Sequence, residues 1–132
     1  MNYLNPELNV KDVNSLSILA LAHIGDSVFE LLVRTKLCMN EHRSAFDLHK
    51  STVSIVNAVS QAKYAEKILP FLNEEEISVY KRGRNAKVNS IPKNASVAEY
   101  HKATGVEALF GWLYLNGKKD RIEELFYMLK CE

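Results

Sequence analysis

The chain has little that breaks, staples or anchors a polypeptide. Prolines occur only at 6, 70 and 92, and glycines only at 25, 83, 105, 111 and 117. No stretch of polar–apolar alternation suggests a strand, so long helices joined by short polar connectors are the expected architecture. Cys38 and Cys131 lie far apart with no metal-ligand spacing, and read as incidental thiols of a reducing compartment. No run of about 20 uncharged apolar residues exists to span a bilayer. Met1 to Val13 carries Asn, Glu, Lys and Asp and lacks the apolar centre of a secretory signal. A cytoplasmic protein without membrane contact is therefore expected. Charge of one sign is also missing: 17 basic against 16 acidic residues give a formal net charge of +1. Any nucleic-acid footprint must be local. A Cys/His cluster, a glycine-rich phosphate loop and a Ser-His-Asp pattern are absent as well.

What is present is apolar material, 47% of 132 residues, enough for one core and one domain spanning 1–132. The spacing of Leu16, Leu19, Ala20, Ile24, Val28, Leu31 and Leu32 predicts a helix from about Ser15 to Leu37, capped by Ser15 or Asn14. Ile18, Leu21, Phe29 and Val33 fill its other faces, as in a buried central helix. A second helical segment is expected from about Ser44 to Phe71, ended by Pro70. Its Val53, Val56, Ala58, Val59, Ala62 and Ala65 form a small-residue face. A third helix runs from Glu74 to about Ala86, with acids in its first turn and bases in its last. After a polar connector, Asn89 to Ser96 with Pro92, Ser96 and Glu99 make a capping-box pattern. The helix they open runs to about Leu115 and is closed by Asn116-Gly117. A last helix spans about Asp120 to Leu129. The fold class is all-α, a helical bundle.

Two carboxylates stand where carboxylates are costly. Asp26 lies in His23-Ile24-Gly25-Asp26-Ser27-Val28, and Glu107 in Thr104-Gly105-Val106-Glu107-Ala108-Leu109. Burying an unpaired carboxylate costs several kcal/mol, so each needs a partner, a metal or water. Gly25 beside Asp26, and Ala103, Ala108 and Gly111 around Glu107, leave room for a close approach. One reading is that both acids meet across a helix pair and hold a hard divalent cation such as Mg²⁺, which takes oxygen ligands and keeps several waters. The other is structural, with Asp26 paired to His23 and Glu107 to a lysine or a helix end. Glu30, four residues before Arg34, reads as an ion-pair partner. His23 and His101 read as hydrogen-bonded structural residues.

From Lys81 to Ala98 there are five bases and no acid. Arg82 and Arg84 can fork onto phosphate oxygens, and Lys81, Lys87 and Lys93 can act as mobile charges. Asn85, Asn89 and Asn94 add hydrogen-bonding amides. Without aromatic residues for stacking, the segment suits the backbone of a duplex better than single strands. The alternative is a solvated helix end.

These motifs resemble the ribonuclease III family. HIGDSV is similar to its signature around a metal-binding aspartate, and ATGVEALFGWLYL to its second motif around a glutamate. The Mini-ribonuclease III branch is resembled more closely, in LALAHIGDSVFELLVR, LHKSTVSIVNAVSQA, KRGRNAK followed by PKNA, and YHKATGVEALFGWLYL. The resemblance implies the helical endonuclease fold without a separate double-stranded RNA-binding domain. It implies a homodimer, Mg²⁺ as cofactor, Asp26 and Glu107 as catalytic metal ligands, and precursor 23S ribosomal RNA as substrate. Two departures from the wider family stand out. Ala22 and Thr104 occupy positions where acids are common, which implies one principal metal ion per site. The competing functions are a non-catalytic double-stranded RNA-binding module and a purely structural helical protein.

Overall fold

The computed structural model describes residues 1–40, 44–87 and 93–129. All of its regular elements are helical: α1 (Val10–Asn14), α2 (Ile18–Asn40), α3 (Ala45–Val56), α4 (Ala58–Ile68), a 3₁₀ turn (Leu69–Phe71), α5 (Glu74–Arg84), α6 (Val97–Leu115) and α7 (Lys119–Tyr127). None of the described helices is long and apolar enough to cross a membrane. The all-α expectation holds.

Helix α6 is the axis of the bundle. Its residues Ala103–Val106 and Ala108–Leu113 are buried, and α2, α4 and α5 pack around it. Its start is the expected capping box: Ser96 Oγ accepts from Glu99 N–H, and the Glu99 carboxylate accepts from Ser96 N–H. Its end is Asn116 followed by Gly117 at φ +72°, a left-handed conformation open to glycine at little cost. Phe29 of α2 sits at the centre of an aromatic cluster, 5.5 Å from Phe110 and 5.6 Å from Tyr64 between ring centroids. The Tyr64 hydroxyl donates to the Leu125 carbonyl, tying α4 to α7.

The largest differences from the sequence expectation lie in the first two helical segments. The long first helix begins at Ile18, and Ser17 rather than Ser15 or Asn14 receives the Ala20 N–H. Residues before it form the short α1, held to α6 by a hydrogen bond from Trp112 Nε1 to Asn14 Oδ1 at 3.0 Å. The segment from Ser44 to Phe71 is two helices and a 3₁₀ turn, broken at Asn57. That residue is extended (φ −72°, ψ 161°) and caps both ways. Its Nδ2 donates to the Val53 and Ser54 carbonyls, and its Oδ1 accepts from Ser60 N–H. One carboxamide thus satisfies groups at both helix ends, which an uninterrupted helix would not need. The connector Asn89 to Pro92 falls outside the described residues.

Glu76 is more than a first-turn acid. It is 2% exposed, and its carboxylate takes two bonds of 2.8 Å from the Arg121 guanidinium, linking α5 to α7. Arg121 also donates to the Phe71 carbonyl at 2.6 Å. Burial alone would raise the Glu76 pKa. The hydrogen bonds from Arg121 and from the Asn73 N–H outweigh it, and the net shift is downward. A depressed carboxylate contributes stability that is present above the ordinary carboxylate range and is lost as pH falls through the lower folded value. Glu76→Gln should therefore destabilise the fold at pH 7 by about 2–4 kcal/mol, as expected when one partner of a largely buried pair is removed. Urea unfolding should show this deficit shrinking in acid. A deficit constant from pH 7 to 3 would count against the assignment.

Candidate active site

The acids Asp26 and Glu107 meet where α2 crosses α6. A Cβ built on Gly25 would lie 1.6 Å from the Glu107 carbonyl oxygen, and one on Gly111 would lie 1.9 Å from the Leu21 carbonyl oxygen. The two backbones therefore touch, each through the other helix's glycine. Asp26 follows Gly25 directly, and Glu107 stands one turn before Gly111. One turn further along, Phe29 and Phe110 press edge to face. Glycine contact on one side and aromatic contact on the other fix the height and rotation of both acids.

The Asp26 and Glu107 carboxyl groups lie within interaction range of each other. Glu107 is half-buried and Asp26 is exposed at the rim. Burial, the hydrogen bond to Asp26 and the charge of Asp26 together push the Glu107 pKa up to about 9. At neutral pH Glu107 therefore holds a proton. A divalent cation between them would displace that proton and satisfy both carboxylates, which is the chemistry a hard, oxygen-seeking ion requires. Among the described residues no group of three or more His, Cys, Asp or Glu side chains is placed to hold a metal. Ala22 is buried, and the buried Thr104 hydroxyl donates to the Tyr100 carbonyl of its own helix. Both therefore supply neutral packing at the two positions where the wider family commonly has acids.

The acids open into a cleft of about 600 Å³. The break between α3 and α4 also lines it, with Val53, Val56, Asn57, Ala58, Val59 and Gln61. Its rim includes Asn94, Ala95 and Tyr100. The small-residue face read from the sequence is thus divided between two tasks: Ala62 and Ala65 are in the core, whereas Val56, Ala58 and Val59 line the cleft. Asn57, Gln61 and Tyr100 were not singled out as site residues. An isolated amide inside a helix carries no spacing signal.

Of the remaining sequence candidates, Asn94 alone among the described residues lines this cleft. Glu30 pairs with Arg34 at 3.0 Å, as expected from the spacing. His23 is exposed on α2, and the shielded Nδ1 of half-buried His101 has no hydrogen-bond partner among the described residues. Lys81, Arg82 and Asn85 line a shallow depression of about 650 Å³ that also includes Ile18 and Glu74. Arg84 lies 5.9 Å from the Tyr80 ring centroid, and its Nε donates to Asn85 Oδ1 at 3.3 Å. Lys87 and Lys93 are exposed, and Asn94, next to Lys93, reaches the acid cleft. The last turn of α5 is pressed onto α6 through Gly83, which abuts Thr104, Gly105 and Ala108. The same stretch of α6 thus carries Glu107 and seats the basic end of α5.

A helical bundle with paired acids at a glycine-mediated crossing is the architecture of a ribonuclease III catalytic domain, and the family model of the Ribonuclease III domain matches residues 19–118. The chain is 41% identical over 128 residues to the Mini-ribonuclease 3 of Clostridium tetani, covering 96% of this chain and 85% of that protein. It is 45% identical to the Mini-ribonuclease 3 of a Thermoanaerobacter species, covering 92% and 86%. A crystal structure of a Fusobacterium nucleatum protein superposes with a TM-score of 0.81 at 32% identity, over 89% of this chain and 93% of that one. The chain belongs to the ribonuclease III family, in its Mini-ribonuclease 3 branch. It is an endoribonuclease, and the substrate class of such a domain is double-stranded RNA.

Proposed function

We propose that these 132 residues work as a single catalytic unit that, paired as a homodimer in the cytoplasm, cuts a terminal stem of precursor 23S ribosomal RNA with Mg²⁺. The observation that carries the reading is the meeting of Asp26 and Glu107 at the head of an open cleft. Bound there, Mg²⁺ would activate water and stabilise charge on the phosphate under attack. Asp26 and Glu107 hold the ion as its only carboxylate ligands, one principal ion per site. Lys81, Arg82, Arg84, Asn85, Lys87 and Lys93 grip the flanking duplex through its phosphates.

A duplex carrying the paired ends of precursor 23S RNA, incubated with Mg²⁺ and separately with EDTA, tests the reading. Cutting confined to the Mg²⁺ sample, with equal cutting of both strands, supports it. Binding without cutting in any divalent cation would favour a non-catalytic RNA-binding module. The grip has its own test. Arg82→Ala and Lys87→Ala should each weaken duplex binding and reduce the slope of log K against log salt by somewhat less than 1, since each phosphate contact contributes about 0.9 on duplex DNA. A slope unchanged with both residues removed would show that the RNA lies elsewhere.

A further inference from the structure

Gln61 is 3% exposed, lines the acid cleft, and leaves its Nε2 with no hydrogen-bond partner among the described residues. Buried amides are seldom left so, because an unmatched donor loses its water without compensation. Its position supplies a reason. Gln61 stands in the first turn of α4, whose N-terminus at Asn57, Ala58 and Val59 lines the same cleft as the acids. A helix N-terminus presents unpaired N–H groups and the positive end of its dipole, a setting that favours an anion. The acid wall of the cleft, in contrast, repels one. A phosphodiester entering the cleft meets the two acids contributed by α2 and α6 and, from α4, a helix N-terminus and a donor awaiting an acceptor.

We propose that Gln61 is a substrate-positioning residue, its carboxamide donating to one non-bridging oxygen of the phosphodiester held between α4 and the acid pair. The inference rests on the endonuclease reading of the cleft. It assigns Gln61 no proton transfer and no metal. The amide is held unsatisfied in the free protein and is satisfied by the substrate, so its removal should affect the two states in opposite directions.

The test uses Gln61→Leu and Gln61→Met, which keep the volume and remove the donor. In the free protein both variants should melt at or a few degrees above wild type, because the unmatched buried amide is gone. Single-turnover cleavage should fall roughly 100-fold, the lower end of the range for losing one preorganised donor, with duplex affinity within about twofold. Sulfur substitution at each non-bridging oxygen of the scissile phosphate gives a readout that a structural role would not move. Wild type should lose rate with both diastereomers. The variants should be indifferent to one of them, the position whose oxygen accepts from Gln61. Variants that cut at the wild-type rate, or that keep both sulfur effects, overturn the assignment while leaving the endonuclease intact. Variants that melt well below wild type show the amide to be structurally satisfied and overturn it too. A wild-type protein that cuts no duplex overturns the endonuclease reading and the role of Gln61 together.

Discussion

Gly25→Ala should cost the protein most of its stability, although alanine is the better helix former. Intrinsic propensity favours alanine over glycine by about 1 kcal/mol inside a helix. Against that, the new methyl group would stand 1.6 Å from the Glu107 carbonyl oxygen and 2.7 Å from the Gly111 nitrogen. Neither neighbour is the free end of a side chain, so relief requires α2 and α6 to separate along their whole contact. Overpacking ordinarily costs about 1–3 kcal/mol, and moving two central helices apart exceeds that range. A domain of this size has about 5–15 kcal/mol in all. Gly111→Ala, at 1.9 Å from the Leu21 carbonyl oxygen, should behave alike. Thermal melts of both variants check this. A melting temperature within a few degrees of wild type would mean that the helices do not cross this closely.

The second large effect falls on chemistry and spares the fold. Asp26→Asn and Glu107→Gln should each reduce cleavage by several orders of magnitude while leaving duplex binding in place. Each removes one of only two carboxylates that meet at the crossing. The free Glu107→Gln protein should also be more stable than wild type, by an amount that depends on pH. Burial and Asp26 raise the Glu107 pKa to about 9, so the folded state holds a proton that the unfolded state has given up. Wild-type stability therefore declines as pH rises from the ordinary carboxylate range to about 9, and a glutamine, permanently neutral, escapes that decline. The same proton competes with a divalent cation. Affinity for Mg²⁺ or Mn²⁺ should tighten about tenfold per pH unit below about 9 and then level off, as expected when one proton leaves for each ion bound. Calorimetric titration at several pH values measures it. A pH-independent affinity would falsify the protonation of Glu107, and retained cleavage by either variant would remove that acid from the site.

Much of this was legible in the sequence because it is local or rests on glycines. The capping box at Ser96 and Glu99, the stop at Asn116-Gly117 and the Glu30–Arg34 pair are all spaced within four residues. The meeting of the acids was legible as a possibility, since Gly25 and Gly111 marked where two helices can touch, but the touching partners are about 85 residues apart. Three features were hidden for physical reasons. Helix α1 is five residues long and buries only Val13, too little apolar surface to leave a period. The break at Asn57 has neither proline nor glycine, and depends on one amide capping in two directions. The Glu76–Arg121 pair spans 45 residues, so Glu76 reads locally as one more acid in a first turn. Gln61 looked like an ordinary polar residue because its importance lies in a hydrogen bond it does not make.

The α2–α6 crossing also determines which changes the active site can ignore. The closeness of Asp26 and Glu107 is gauged first by peptide groups resting on one another at Gly25 and Gly111, with the Phe29–Phe110 contact beside them. An interior leucine replaced by methionine shifts its neighbours without altering that gauge. Substitutions elsewhere in the interior should therefore move the melting temperature of this chain while the spacing of the two carboxylates holds.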